Sequence, residues 1–135
     1  MAKWLAKSEP YKYSWDQLVK DGSTHWDGVR NYQASNNMKA MKIGDQAFFY
    51  HSNEGKNIVG IMQVCKEYYP DPSDEKGRFG MVDFKAVKPL KSPVTLAQIK
   101  ASKELEGIAL VRQSRLSVCP ITDKEWKILC KIGGV

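Results

Sequence analysis

Histidine and cysteine are scarce in this chain, and what there is lies scattered. Two residues of 135 are histidine and three are cysteine. Cys65, Cys119 and Cys130 make no C-x-x-C pair and are odd in number. That excludes a disulfide scaffold and a zinc knuckle, and makes a reducing compartment the expectation. No apolar run reaches the length of a membrane-crossing helix, and Met1 to Lys7 lacks the apolar core of a secretory signal. A soluble, cytoplasmic protein without a membrane partner is therefore expected. There is no glycine-rich phosphate loop and no G-x-S-x-G elbow, so two common routes to enzyme chemistry are missing. Internal repeats, low-complexity tracts and long linkers are also absent, and residues 1–135 read as a single domain.

What is present is an ordinary globular composition with a basic lean. Hydrophobic residues make up 42% and charged residues 27%. Lys plus Arg number 21 against 15 Asp plus Glu, a formal charge of +6. That balance favours a polyanionic partner, because each phosphate neutralised releases condensed counterions.

Trp4 to Lys7 reads as a first strand stopped by Pro10. Ser14 and Gln17 have capping-box spacing and open a short helix that should bury Trp15, Leu18 and Val19 before Gly22 ends it. Ala34, Met38 and Met41 recur at helical spacing after Asn31. Gln46 to Ser52 and Ile58 to Cys65 read as a hairpin, and Gly80 to Val87 alternates as a half-buried strand. Thr95 with Gln98 opens a further helix burying Leu96 and Ile99. Arg115 to Cys119 is a short strand ended by Pro120. Thr122 with Glu125 opens a last helix with Trp126, Leu129 and Ile132 inward and Gly133 as its stop. The fold class expected is α+β: a mostly antiparallel sheet, closed into a barrel and decorated by short helices.

The informative segments combine rings, short hydrogen-bonding side chains and guanidiniums. In Lys7-Ser8-Glu9-Pro10 the proline halts the ladder and displays the polar groups before it; Glu9 could accept from an amine such as cytosine N4, or the segment is only a solvated strand end. In Trp26-Asp27-Gly28-Val29-Arg30-Asn31, Asn31 suits an N-cap and Trp26 suits a core, but Arg30 beside an aromatic platform suits a phosphate or a stacked base. Tyr50-His51-Ser52-Asn53 gathers polar groups at one end of a strand. Arg112 to Ser117 adds two guanidiniums and two hydroxyls, a phosphate contact or a solvated pair. Tyr68-Tyr69-Pro70-Asp71 reads as a strand end with a turn. The best catalytic grouping available, Cys119 or Ser117 with His51 and Asp83, carries no local mark of an activated nucleophile.

These segments, with Gln33-Ala34, Met41-Lys42-Ile43-Gly44-Asp45, Pro93-Val94, Arg115-Leu116-Ser117-Val118 and Gly133-Gly134, occur in an order that resembles the EVE domain family, a branch of the PUA-like fold related to the YTH readers of methylated adenine. The resemblance covers nearly the whole chain. It implies a PUA-like barrel with a pocket for a modified base, altered cytosine among the ligands, and binding without catalysis or cofactor. Carried over by motif, the base pocket comprises Ser8, Glu9, Trp26, Asn31, Tyr50, His51 and Ser52, with Lys7, Arg30 and Arg115 on phosphate. Where the family reads Gln-Ala-Arg-Asn, this chain has Gln33-Ala34-Ser35-Asn36 and lacks that guanidinium. The expected partner is DNA or RNA carrying a modified base, its nucleotide flipped out or taken from a single strand. A nucleotide-processing enzyme and a sensor of a free modified nucleoside are the alternatives.

Overall fold

Leu5 and Ala6 point to opposite faces of the first strand, and both are fully buried. β1 (Lys3–Ser8) is thus covered on both faces and lies inside the sheet, as a short apolar run predicts. The computed structural model describes residues 1–135. The remaining strands are β2 (Ser23–His25), β3 (Gln46–His51), β4 (Asn57–Pro70), β5 (Gly80–Thr95) and β6 (Val118–Ile121). They form one six-stranded sheet in the order β2-β5-β4-β3-β1-β6. All neighbours are antiparallel except β1 and β3, which run parallel with Ser8 opposite His51.

The sheet is α+β and mostly antiparallel, but it is not the closed barrel that the sequence suggests. β2 and β6 are its two edges, and no ladder joins them. The reason is local: β2 has three residues, and β6 has four with Pro120 among them, which lacks a ladder donor. Pro120 therefore sits within an edge strand instead of ending it, and Arg115 lies in the loop before that strand. In place of closure, α2 (Tyr32–Ala40) packs against β4, β5 and β6.

The helices follow their caps. Ser14 accepts the Gln17 N–H at the start of α1 (Trp15–Asp21), but the Gln17 side chain turns to Asp21, so the reciprocal half of that box is not made. Trp15 and Leu18 are buried while Val19 is 53% exposed, because a helix this short presents only one i, i+3 stripe to the sheet. Both α3 (Leu96–Ala101) and α5 (Asp123–Gly133) carry complete capping boxes. Ile99 is buried in α3 and Leu96 half-buried; in α5, Trp126 and Leu129 are buried and Ile132 half-buried. The stop of α5 is Gly134, left-handed at φ 76°, one residue later than expected. α4 (Ala109–Arg112) and a single 3-10 turn, Lys103–Leu105, have no clear sequence signal. β4 and β5 outrun the segments expected at Cys65 and Val87, and four register shifts between them break the alternation. No helix is long and apolar enough to cross a membrane.

Candidate nucleic-acid interface

The parallel pairing of β1 and β3 brings two C-terminal strand ends to the same side of the sheet. There the Ser52 N–H donates to the Ser8 carbonyl at 3.0 Å, and the Lys7 N–H donates to the Ser117 carbonyl at 2.9 Å. A cavity of about 530 Å³ opens at this convergence. Its walls come from four places: Lys7, Ser8, Glu9, Lys12 and Tyr13 at the end of β1 and the turn beyond; Thr24 through Gly28 from β2 onward; Ser52 after β3; and Ser114, Arg115 and Ser117 before β6. Its volume falls in the range of small-molecule sites.

The lining is mainly polar, with two aromatic residues, Tyr13 and Trp26. Trp26 is 7% exposed, its ring edge-to-face with Phe49 at 5.5 Å and with Phe84 at 5.4 Å. The indole is thus core and cavity wall together. Tyr13 is held by its hydroxyl donating to Asp21 at 2.8 Å, and Ser8 donates to the Tyr13 carbonyl at 2.6 Å. Lys7 reaches the Ser114 carbonyl at 2.8 Å, and burial lowers its pKa from the ordinary lysine value. Glu9 Oε2 is buried without a hydrogen-bond partner; the nearest cation, Lys12 Nζ, is 3.7 Å away, beyond hydrogen-bond reach.

Of the residues singled out from sequence, Lys7, Ser8, Glu9, Trp26, Ser52 and Arg115 meet in this cavity. Asn31, Tyr50, His51 and Arg30 lie outside its lining. Asn31 caps α2, accepting the Ala34 N–H at 2.9 Å. Tyr50 is buried at 3% exposure within the core. His51 Nε2 accepts the Trp15 N–H at 3.1 Å, so the ring is neutral with its proton on Nδ1; burial lowers its pKa, only partly opposed by Asp16. Arg30 donates to Asp71 at 3.2 Å and to Ser73 at 3.0 Å. Ser35, where the resembling family carries arginine, is buried on Tyr68 through a 2.8 Å hydroxyl contact, and belongs to the packing of α2.

Three members of the catalytic grouping, Cys119, Asp83 and His51, are buried or engaged elsewhere. Cys119 is fully buried and its thiol is pushed up to about 11 by burial, with Lys7 pulling weakly the other way. Asp83 accepts from the Tyr69 hydroxyl, and the Nε2 of His51 is taken by a backbone donor.

Sequence reasoning missed Lys12, Tyr13, Thr24 and His25 as lining residues. A three-residue strand gives no periodicity to read. The polar run Ser23-Thr24-His25 between a helix-stopping glycine and Trp26 was the available signal. It read Asp71 only as part of a turn, whereas this carboxylate organises the loop after Trp26. Asp71 accepts from the Gly28 N–H at 2.9 Å, from Arg30, and from the Ser73 N–H and hydroxyl at 2.8 and 2.6 Å. Burial opposes its charge, but these donors outweigh burial and hold the carboxyl at about 2.

Comparison with known proteins fits this geometry. The EVE domain family model matches residues 2–132. Human thymocyte nuclear protein 1 is 35% identical over 163 residues, spanning 96% of this chain and 72% of that protein. A crystal structure from Agrobacterium tumefaciens superposes with TM-score 0.98 at 48% identity, over 100% of this chain and 94% of the other. A crystal structure of human THYN1 protein in complex with 5-methylcytosine-containing DNA superposes with TM-score 0.92 at 34% identity, over 100% of this chain and 99% of the other.

Proposed function

This chain belongs to the EVE domain family, and from that premise we propose that it binds nucleic acid by taking a modified cytosine into the cavity beside Trp26, without catalysing a reaction. The observation that carries the reading is Glu9. Its buried Oε2 has Lys12 Nζ at 3.7 Å as an ion-pair partner but no hydrogen bond, and a ligand that donates one would complete it. The exocyclic amine of cytosine is such a donor, and carboxylates accept from it in known base readout. Ser52 offers a hydroxyl to the rest of the base edge and Ser8, whose proton is held by the Tyr13 carbonyl, offers an acceptor, while Trp26 and Tyr13 supply apolar surface for the ring and for a 5-substituent. Lys7 and Arg115 place positive charge where the nucleotide's phosphate would lie. Asn31, Tyr50, His51 and Arg30 act behind this surface, fixing the segments that carry it. The DNA bound by the human relative supports the same partner class.

The test is a titration of DNA oligonucleotides that differ only in one cytosine or 5-methylcytosine, with Glu9→Gln as the variant. The wild type should favour the methylated strand. Glu9→Gln should weaken binding to it about tenfold, the worth of one charge-assisted hydrogen bond. Equal wild-type affinity for both strands would refute base reading.

A further inference from the structure

A second groove, of about 330 Å³, adjoins the cavity and shares Ser114 and Arg115 with it. One wall is the start of α2, with Asn31 and Gln33; the other is the loop from Arg112 to Arg115. Gln33 donates to Gln113 at 2.7 Å and ties the two walls together. The groove brings two guanidiniums together and no carboxylate lines it. Arg112 is oriented by its Nε donating to the Glu106 carbonyl at 2.7 Å, which leaves its terminal nitrogens available. Arg115 takes part in neither of the protein's two ion pairs. At the other wall, Asn31 satisfies the N–H groups of Ala34 and Ser35, leaving those of Tyr32 and Gln33 at the open, positive end of the helix.

The division of side chains between the two concavities is chemical. The cavity carries the rings; no aromatic residue lines the groove. A surface of guanidiniums, amides and a hydroxyl without a stacking platform suits an anionic backbone and not a second base. We propose that the groove seats the phosphodiester flanking the base held in the cavity, so that the ligand is a strand and not a free nucleoside. This rests on the cavity taking a nucleobase, as argued above.

The experiment measures affinity for single-stranded DNA with one 5-methylcytosine, and for its unmethylated counterpart, across a salt series. The proteins are wild type, Arg112→Gln, Arg112→Lys, Gln113→Glu and, as a charge control, Lys124→Gln on α5. Arg112→Gln and Gln113→Glu should weaken binding to both strands by a common factor of about three to ten. The ratio between strands should be preserved, and Arg112→Gln should reduce the salt slope by about one. Arg112→Lys should restore most of the slope, and Lys124→Gln should change neither quantity. Unchanged affinity in Arg112→Gln and Gln113→Glu, with an unchanged slope in Arg112→Gln, would overturn the groove while the wild-type methyl preference stands. Loss of that preference in the wild type would overturn base reading instead, with the slope change still diagnosing a phosphate in the groove.

Discussion

The backbone N–H of Gly28 donates to the carboxylate of Asp71 at 2.9 Å, joining positions 43 residues apart. Gly28 adopts φ 78°, a left-handed conformation that favours glycine. This contact turns the chain just past Trp26 and Asp27, so a residue outside the cavity lining sets the course of one wall.

Asp71→Asn should destabilise the fold by about 2 kcal/mol, since a buried carboxylate with several donors becomes a poorly matched amide. The wild type should also lose stability as pH falls from about 4 toward 2. Its folded carboxyl sits at about 2, below the ordinary value, so the folded state holds fewer protons than the unfolded chain in that window. Urea midpoints measured at neutral and acid pH check both statements, and the variant should lack this part of the acid slope.

His51 also contributes on the acid side of neutrality, at milder pH than Asp71. Burial lowers its pKa below the usual histidine value of about 6.5. Folding therefore opposes protonation, and stability should fall as pH drops through about 6.5. His51→Gln, which retains an acceptor for the Trp15 N–H, should flatten the change in thermal midpoint between neutral and mildly acid solution.

Trp26→Ala should cost about 3–5 kcal/mol, because the indole fills space against Phe49 and Phe84. It would not separate binding from folding. Trp26→Phe should stay folded by circular dichroism and lose affinity for the methylated strand, since a smaller ring withdraws from the cavity wall.

Gly60 of β4 lies against the Trp15 ring of α1. A Cβ there would lie 2.5 Å from three indole carbons, well inside contact distance. Gly60→Ala should lower stability by about 1–3 kcal/mol through overpacking, read as a drop in thermal midpoint with no new charge or polar group involved.

The readable parts of this molecule are those in which neighbours along the chain settle the outcome. Thr95 with Gln98 and Thr122 with Glu125 form their capping boxes as spaced, because a cap needs only residues three apart. Asn31 caps α2, and Leu5 and Ala6 mark a buried strand, for the same reason. The bulged second halves of β4 and β5 escaped notice because each register shift resets the side-chain alternation.

By itself, then, the sequence determined the α+β class, the net positive charge, the capped helix starts, and the polar segments at the strand ends. Tertiary structure decided which of those segments meet. Parallel pairing of β1 with β3 places Ser8 beside Ser52, while the same strand end sends Tyr50 inward and commits His51 to the Trp15 backbone. Two short edge strands, one of them carrying Pro120, leave the sheet open instead of closed into a barrel. Those outcomes depend on strand direction and on partners distant in sequence, and a local pattern of residues carries neither.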